Sequence, residues 1–203
     1  MHLGQTATYL ATVMNRPEAS LKLVSRLLRE GGWVRKGPRG RNAPHLSADE
    51  LASFILAIMC APDSPATAME RLPHFHGLPL EGDETGQRTF GKGLGLLLAR
   101  LAADSAEDAE RKAWHVQLLL DLSIAAIRER HWDGDDYEDA EHVFSALIDA
   151  NPQEPVLNSM PFHSGMGIQI SVPWFTLFRI AKTVLENEPD PLPALAARIT
   201  AAE

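Results

Sequence analysis

The sequence predicts a mainly helical chain with a minor β component, divided into a basic helical head and a larger acidic α+β body. Three observations lead there. Apolar residues recur at spacings of three and four through most of the amino-terminal half, as one face of a helix requires. Strict alternation, the mark of a half-buried strand, is confined to short stretches of the second half, such as 167–172. Charge is split unevenly: residues 1–45 hold eight Lys or Arg against two Glu, net +6, while the remainder holds eleven basic and twenty-five acidic residues, net −14.

A chain of 203 residues, 45% of them hydrophobic, suffices for one large core or two small ones. No run approaches the length of a membrane span, and MHLGQTATYLATVM lacks the charged start and small-residue cleavage pattern of a secretory signal, so a cytoplasmic location is expected. Cys60 is the single cysteine, which excludes an intrachain disulfide and a cysteine-based zinc site; in FILAIMCA it reads as a buried thiol. The net charge of −8 would disfavour nucleic acid if it were evenly spread. Screening limits each charge to about 8–10 Å, so a basic cluster can attract phosphate while a distant acidic surface repels it only weakly.

The first helix is expected from Gln5 to Met14, with Ala7, Leu10, Ala11 and Met14 on one face and Thr6 able to cap its start. Asn15-Arg16-Pro17 breaks the chain. A second helix follows from Glu18, where Leu21, Val24, Leu27 and Leu28 form an apolar stripe and Lys22, Arg26 and Arg29 lie on another face. Gly31 and Gly32 stop it. Trp33 and Val34 have strand preference, and Lys36-Gly37-Pro38-Arg39-Gly40-Arg41 makes a tight cationic turn. Ser47-Ala48-Asp49-Glu50 is a capping box opening a helix to about Cys60, strongly apolar through Leu51, Phe54, Ile55, Ile58 and Met59. A short helix should start at Ser64-Pro65 and end at Pro73.

The succession RLLREGG, WVRKGPRGRNAPHLS, SADELA resembles the winged helix-turn-helix DNA-binding domains of bacterial and phage-type regulators, over about residues 5–75. The resemblance implies that the second helix enters the major groove while the first braces it. It places Ser20, Lys22, Ser25, Arg26 and Arg29 on the exposed recognition face, and Arg35, Lys36, Arg39, Arg41 and Asn42 in the wing. Ser25, Arg26 and Arg29 would face base edges, Lys22, Arg35, Lys36 and Arg39 would hold phosphates, and Arg41 and Asn42 would reach a minor groove.

The Gly-, Pro- and acid-rich HFHGLPLEGDET suggests a linker, giving a DNA-binding domain at 1–77, a linker at 78–86 and an acidic α+β domain at 87–203. Thr89 to Ala103 reads as a helix despite Gly91, Gly93 and Gly95, and Ser105 starts another. Residues 116–130 fit both periods: Val116, Leu119, Leu120, Ser123, Ile124 and Ile127 for a helix, Val116, Leu118, Leu120, Leu122 and Ile124 for a strand. We read a helix passing into a strand, with Asp133-Gly134-Asp135-Asp136 turning a hairpin toward Glu141 to Leu147. Gly167 to Val172 should be a strand, Pro173 should open a helix through Val184, and LPALAARITAAE should form a short terminal helix.

Enzyme motifs are incomplete. Gly86-Gln87-Arg88-Thr89-Phe90-Gly91-Lys92-Gly93 matches a phosphate-binding loop except at its last position, where Gly93 has no hydroxyl for magnesium. His74 and His76, with Asp83 or Glu84, have metal-ligand chemistry without a second pair at a recognised spacing. The acids from Asp133 to Asp139 lack the ligand order of a calcium loop, and no Gly-x-Ser-x-Gly elbow organises a nucleophile. The sequence therefore predicts no enzyme, no metal and no cofactor. It predicts a sequence-specific regulator of transcription that binds double-stranded DNA as a homodimer, with the acidic half, including Trp174 and Phe175, serving self-association or a protein partner. The alternatives are a viral DNA-packaging recognition subunit assembled into a ring, or a protein-binding inhibitor whose basic head serves autoregulation.

Overall fold

A computed structural model describes residues 1–37, 43–61, 64–120, 124–133, 136–145 and 169–187. Its central element is the helix Ala48–Cys60 (α3), in which every residue from Glu50 to Cys60 is buried. The expected capping box opens it: the Ser47 hydroxyl accepts the Glu50 N–H at 3.3 Å, and the Glu50 carboxylate accepts the Ser47 N–H at 2.8 Å. At the other end the Arg71 guanidinium donates to the Cys60 carbonyl at 3.1 Å. A helix apolar on all sides has to be enclosed. Helices Glu18–Glu30 (α2), Pro65–Gly77 (α4) and Phe90–Ala103 (α5) surround it.

Helix α1 (Leu3–Val13) braces α2 from the other side and also touches α7 (Trp174–Leu185). It starts two residues before the expected Gln5, and Thr6 does not cap it: Thr6 is buried and its hydroxyl donates back to the His2 carbonyl. Asn15, with φ of 50°, turns the chain into α2, whose N-cap is Pro17. Helix α4 runs past Pro73, where an end was expected. Pro73 is exposed, so the carbonyl left unpaired by its missing N–H can turn toward water, and buried Leu72 and Phe75 hold the last turn in place.

The glycines of α5 explain how it packs. A Cβ on Gly91 would lie 2.1 Å from the His76 ring of α4, and one on Gly95 would lie 2.3 Å from the Asp49 carboxylate of α3. These two positions are four residues apart, hence on one face, and their bare backbone lets both neighbours approach.

The carboxyl half adds a short helix α6 (Ala106–Arg111) and a four-stranded antiparallel sheet ordered β3-β2-β1-β4, with β1 Lys112–Leu119, β2 Ile124–Asp133, β3 Asp136–Ser145 and β4 Gln169–Pro173. Strands β2 and β3 pair as the expected hairpin would, with Asp133 opposite Asp136, so the second strand begins at Asp136 and not at Glu141. The helix expected from residue 116 is not formed. Val116 and Leu118 are fully buried, and β1 pairs on both sides: Val116 lies opposite Ile127 and Val172, and Leu118 opposite Ala125 and Ile170. Two partner strands satisfy the backbone that periodicity alone left undecided. The expected strand near Gly167 appears as β4, which α7 follows, whereas the terminal LPALAARITAAE and residues 146–168 lie outside the described residues.

The segment read as a linker is packed. Leu78 is buried, the Leu80 N–H donates to the Arg88 carbonyl and the Glu81 N–H to the Val143 carbonyl, both at 2.9 Å. One apolar cluster runs across it from Ala7 to Val184. The head and the body therefore share a core, with α5 as the main contact between them.

Candidate nucleic-acid interface

Helix α2 sorts its side chains as a one-sided helix must. Leu21, Val24, Ser25 and Leu28 face inward, and Lys22 and Arg26 project outward with side chains 60% and 65% exposed. Each outward cation has an acid one turn away: Lys22 Nζ lies 2.8 Å from Glu18, and Arg26 Nε lies 2.8 Å from Glu30. Glu18 titrates below its ordinary range, chiefly because Lys22 and then Thr8 donate to it. Ser20 and Arg29 are half-buried, and Leu23 is 43% exposed beside the cations.

Ser25, expected at a base edge, is only 7% exposed, and its hydroxyl donates to the Lys22 carbonyl at 2.8 Å. Residues 21, 24, 25 and 28 are the i, i+3, i+4, i+7 set of one helical face, so a serine there packs with the leucines.

The end of α2 explains why no strand forms at Trp33 and Val34. Gly32, at φ 79°, takes the left-handed turn, the Trp33 N–H donates to the Leu28 carbonyl at 2.9 Å, and the Gly32 N–H donates to Arg29. This is a Schellman close, which folds Trp33 back toward the core with its ring 5.0 Å from that of His76. The next donor a strand would need is also taken, because the Arg35 N–H donates to Glu50 at 2.8 Å. Trp33 to Gly37 is turn and irregular chain, not strand, and on the far side His45 makes a single antiparallel bridge to His2.

Arg35, expected to hold phosphate, is bound by its own chain. Its Nε and Nη2 meet the two oxygens of Glu50 at 2.9 and 3.1 Å, and Nη2 also donates to the His45 carbonyl at 2.8 Å. Glu50 thus joins three things: the entry to the basic loop, its exit through His45, and the first turn of α3. Burial alone would raise its pKa, but the hydrogen bonds from Arg35 and Ser47 and the Arg35 charge outweigh that and hold it below the ordinary range. Sequence reasoning found Glu50 only as a cap. Its clamp on Arg35 spans fifteen residues, which no local motif announces.

The loop is pinched at its neck. A Cβ on Gly37 would stand 2.5 Å from the Pro44 ring, so the two limbs touch there. Lys36 is exposed just outside that neck. Arg39, Arg41 and Asn42 lie outside the described residues. Behind the neck is a recess of about 210 Å³ lined by Arg29, Arg35, His45 and Glu50 among others. The structure thus brings Arg29, Arg35 and Lys36 to one end of α2, leaves Lys22 and Arg26 along its outer face, and turns Ser25 away.

Of the remaining motifs, the Gly86–Gly93 loop holds an acid of its own chain. The Asp83 carboxylate accepts the Arg88 N–H at 2.7 Å and the Thr85 hydroxyl at 2.6 Å, and these contacts hold its pKa low, Thr85 first. The His76 ring is spent against Trp33 and Gly91. Among the described residues no group of three or more His, Cys, Asp or Glu is placed to hold a metal ion. No single helix among them is long and apolar enough to cross a membrane. Comparison of the chain with protein-family models, curated proteins and solved structures finds no match.

Proposed function

We propose that this protein binds double-stranded DNA through the outer face of α2 and the basic loop after it, and acts as a homodimeric, sequence-specific regulator of transcription. The observation that supports this most is the division of labour on α2. Its apolar stripe is committed to the core, while Lys22, Arg26 and Arg29 lie away from that stripe, and Lys36, Arg39 and Arg41 follow in sequence. The acids paired with Lys22 and Arg26 are no obstacle. Exposed pairs of this kind contribute little to stability, and phosphates can replace them.

Within this reading Arg26 and Arg29 are the base readers, and Arg35 fixes the loop instead of holding a phosphate. Lys22, Lys36 and Arg39 remain for the phosphates, with Arg41 reaching a minor groove. Three phosphate contacts give a slope of log K against log salt of about −3. The test is selection from random duplexes at several salt concentrations, with Arg26→Ala/Arg29→Ala in parallel. Enrichment of a palindromic site that the variant does not select is the expected result. Absence of binding, or binding insensitive to salt, refutes the proposal, and a ring-sized mass in solution would favour the packaging subunit over the regulator.

A further inference from the structure

The body of the protein is acidic, yet one place in it is not. Residues 87–203 contain ten Lys or Arg and eighteen Asp or Glu. Three of the ten, Arg88, Lys92 and Arg100, line a single groove of about 480 Å³ between α5 and the sheet, and none of the described residues lining it is acidic. An anion entering the groove would be attracted by these charges.

The floor of the groove is apolar. Leu97, Ile127 and Phe144 form it, all 5% exposed or less. Gly93 sets its depth: a Cβ there would lie 3.2 Å from the Phe144 ring and 3.4 Å from the Ile127 side chain, so any larger residue would close the crevice. On the rim, Lys92, Leu96 and Arg100 succeed one another every four residues along α5, one face of the helix. Leu96 is 73% exposed, the most exposed large apolar side chain among the described residues. Lys92 Nζ donates to the Gln87 carbonyl at 3.1 Å, which holds its ammonium at the groove while leaving donors over.

We infer that this groove is a binding site for a small organic anion, a carboxylate or sulfonate carried on an apolar ring or chain. The apolar part lies over Phe144 and Ile127 and against Leu96, and the charged end sits between Lys92 and Arg88 or Arg100. The volume falls within the roughly 300–1,000 Å³ of small-ligand sites, and an apolar lining with a few convergent polar groups is their usual make-up. The site stands whether or not the amino-terminal head binds DNA.

A matched pair of fluorescent probes tests it on the full chain. 8-Anilinonaphthalene-1-sulfonate and N-phenyl-1-naphthylamine share their rings and differ by the sulfonate. The sulfonate probe is expected to bind one equivalent, at least tenfold tighter than the neutral one. The Arg88→Gln/Lys92→Gln variant, checked for an unchanged circular dichroism spectrum, is expected to lose at least fivefold in sulfonate affinity with no change for the neutral probe. A second variant, Leu96→Gln, should weaken both. Equal affinity for the two probes, sulfonate binding that survives the double substitution, or no binding of either probe at millimolar concentration would each overturn the inference.

Discussion

Replacing Glu50 tests the reasoning about the basic loop most directly. Its carboxylate is nearly buried and accepts two backbone N–H groups, from Ser47 and Arg35, each at 2.8 Å. A hydrogen bond to a charged group is worth about 1.5–3 kcal/mol when shielded. Arg35 and Ser47 are exposed, water can replace part of each contact, and about 1 kcal/mol apiece is the discounted value. Glu50→Ala should therefore cost about 2 kcal/mol. For a chain of this size that lowers Tm by about 4–8 °C. Glu50→Gln, which keeps one acceptor oxygen, should cost about half as much. The pH dependence carries the sharper prediction. Because the folded pKa of Glu50 lies below its unfolded value, its contribution is complete above the unfolded value and is lost as pH falls through the folded one. The gap in Tm between the parent and Glu50→Gln, followed by calorimetry or circular dichroism, should be full at pH 7 and narrow as the pH falls below the ordinary glutamate value of about 4.3. A gap absent at pH 7, or unchanged at pH 3, would mean that Glu50 does not clamp the loop as argued.

Two further outcomes follow from the packing. Gly91→Ala gains about 1 kcal/mol of helix propensity. It also drives a Cβ to 2.1 Å from a His76 ring already held against Trp33; overpacking of this kind costs about 1–3 kcal/mol, so the variant should melt about 2–4 °C lower, and a rise in Tm would contradict the close approach of α4 and α5. Burial pushes the Cys60 thiol up to about 12, despite the nearby charge of Arg71. The folded protein should then resist iodoacetamide at pH 8 and react fully once denatured, and rapid labelling of the native form would place Cys60 outside the core.

What could be read from the sequence was local. Ser47 and Glu50 announce α3 because both halves of the capping box lie within one turn, and the glycines after Glu30 announce the end of α2 for the same reason. Glycines in α5 did not hide it, since the leucines around them keep the helical period. The larger errors are non-local. Residues 116–119 fit either period, and only the strands on both sides decide for β1. The stretch after His74 looks like a linker by composition, yet the Phe90 N–H of α5 donates to the Leu78 carbonyl and Leu80 bridges Phe144 of β3, about sixty residues further on. Arg35 reads as one more free cation in a basic run until Glu50 is folded against it. The same holds for the groove beside α5: Arg88, Lys92 and Arg100 are ordinary surface cations in sequence, and only the arrival of Ile127 and Phe144 from the sheet gives them a common floor. Charge counted along the chain therefore locates the basic head but does not show which cation its own chain holds, as Glu50 holds Arg35. Charge counted in space finds a second cationic site in the half that composition had marked as acidic.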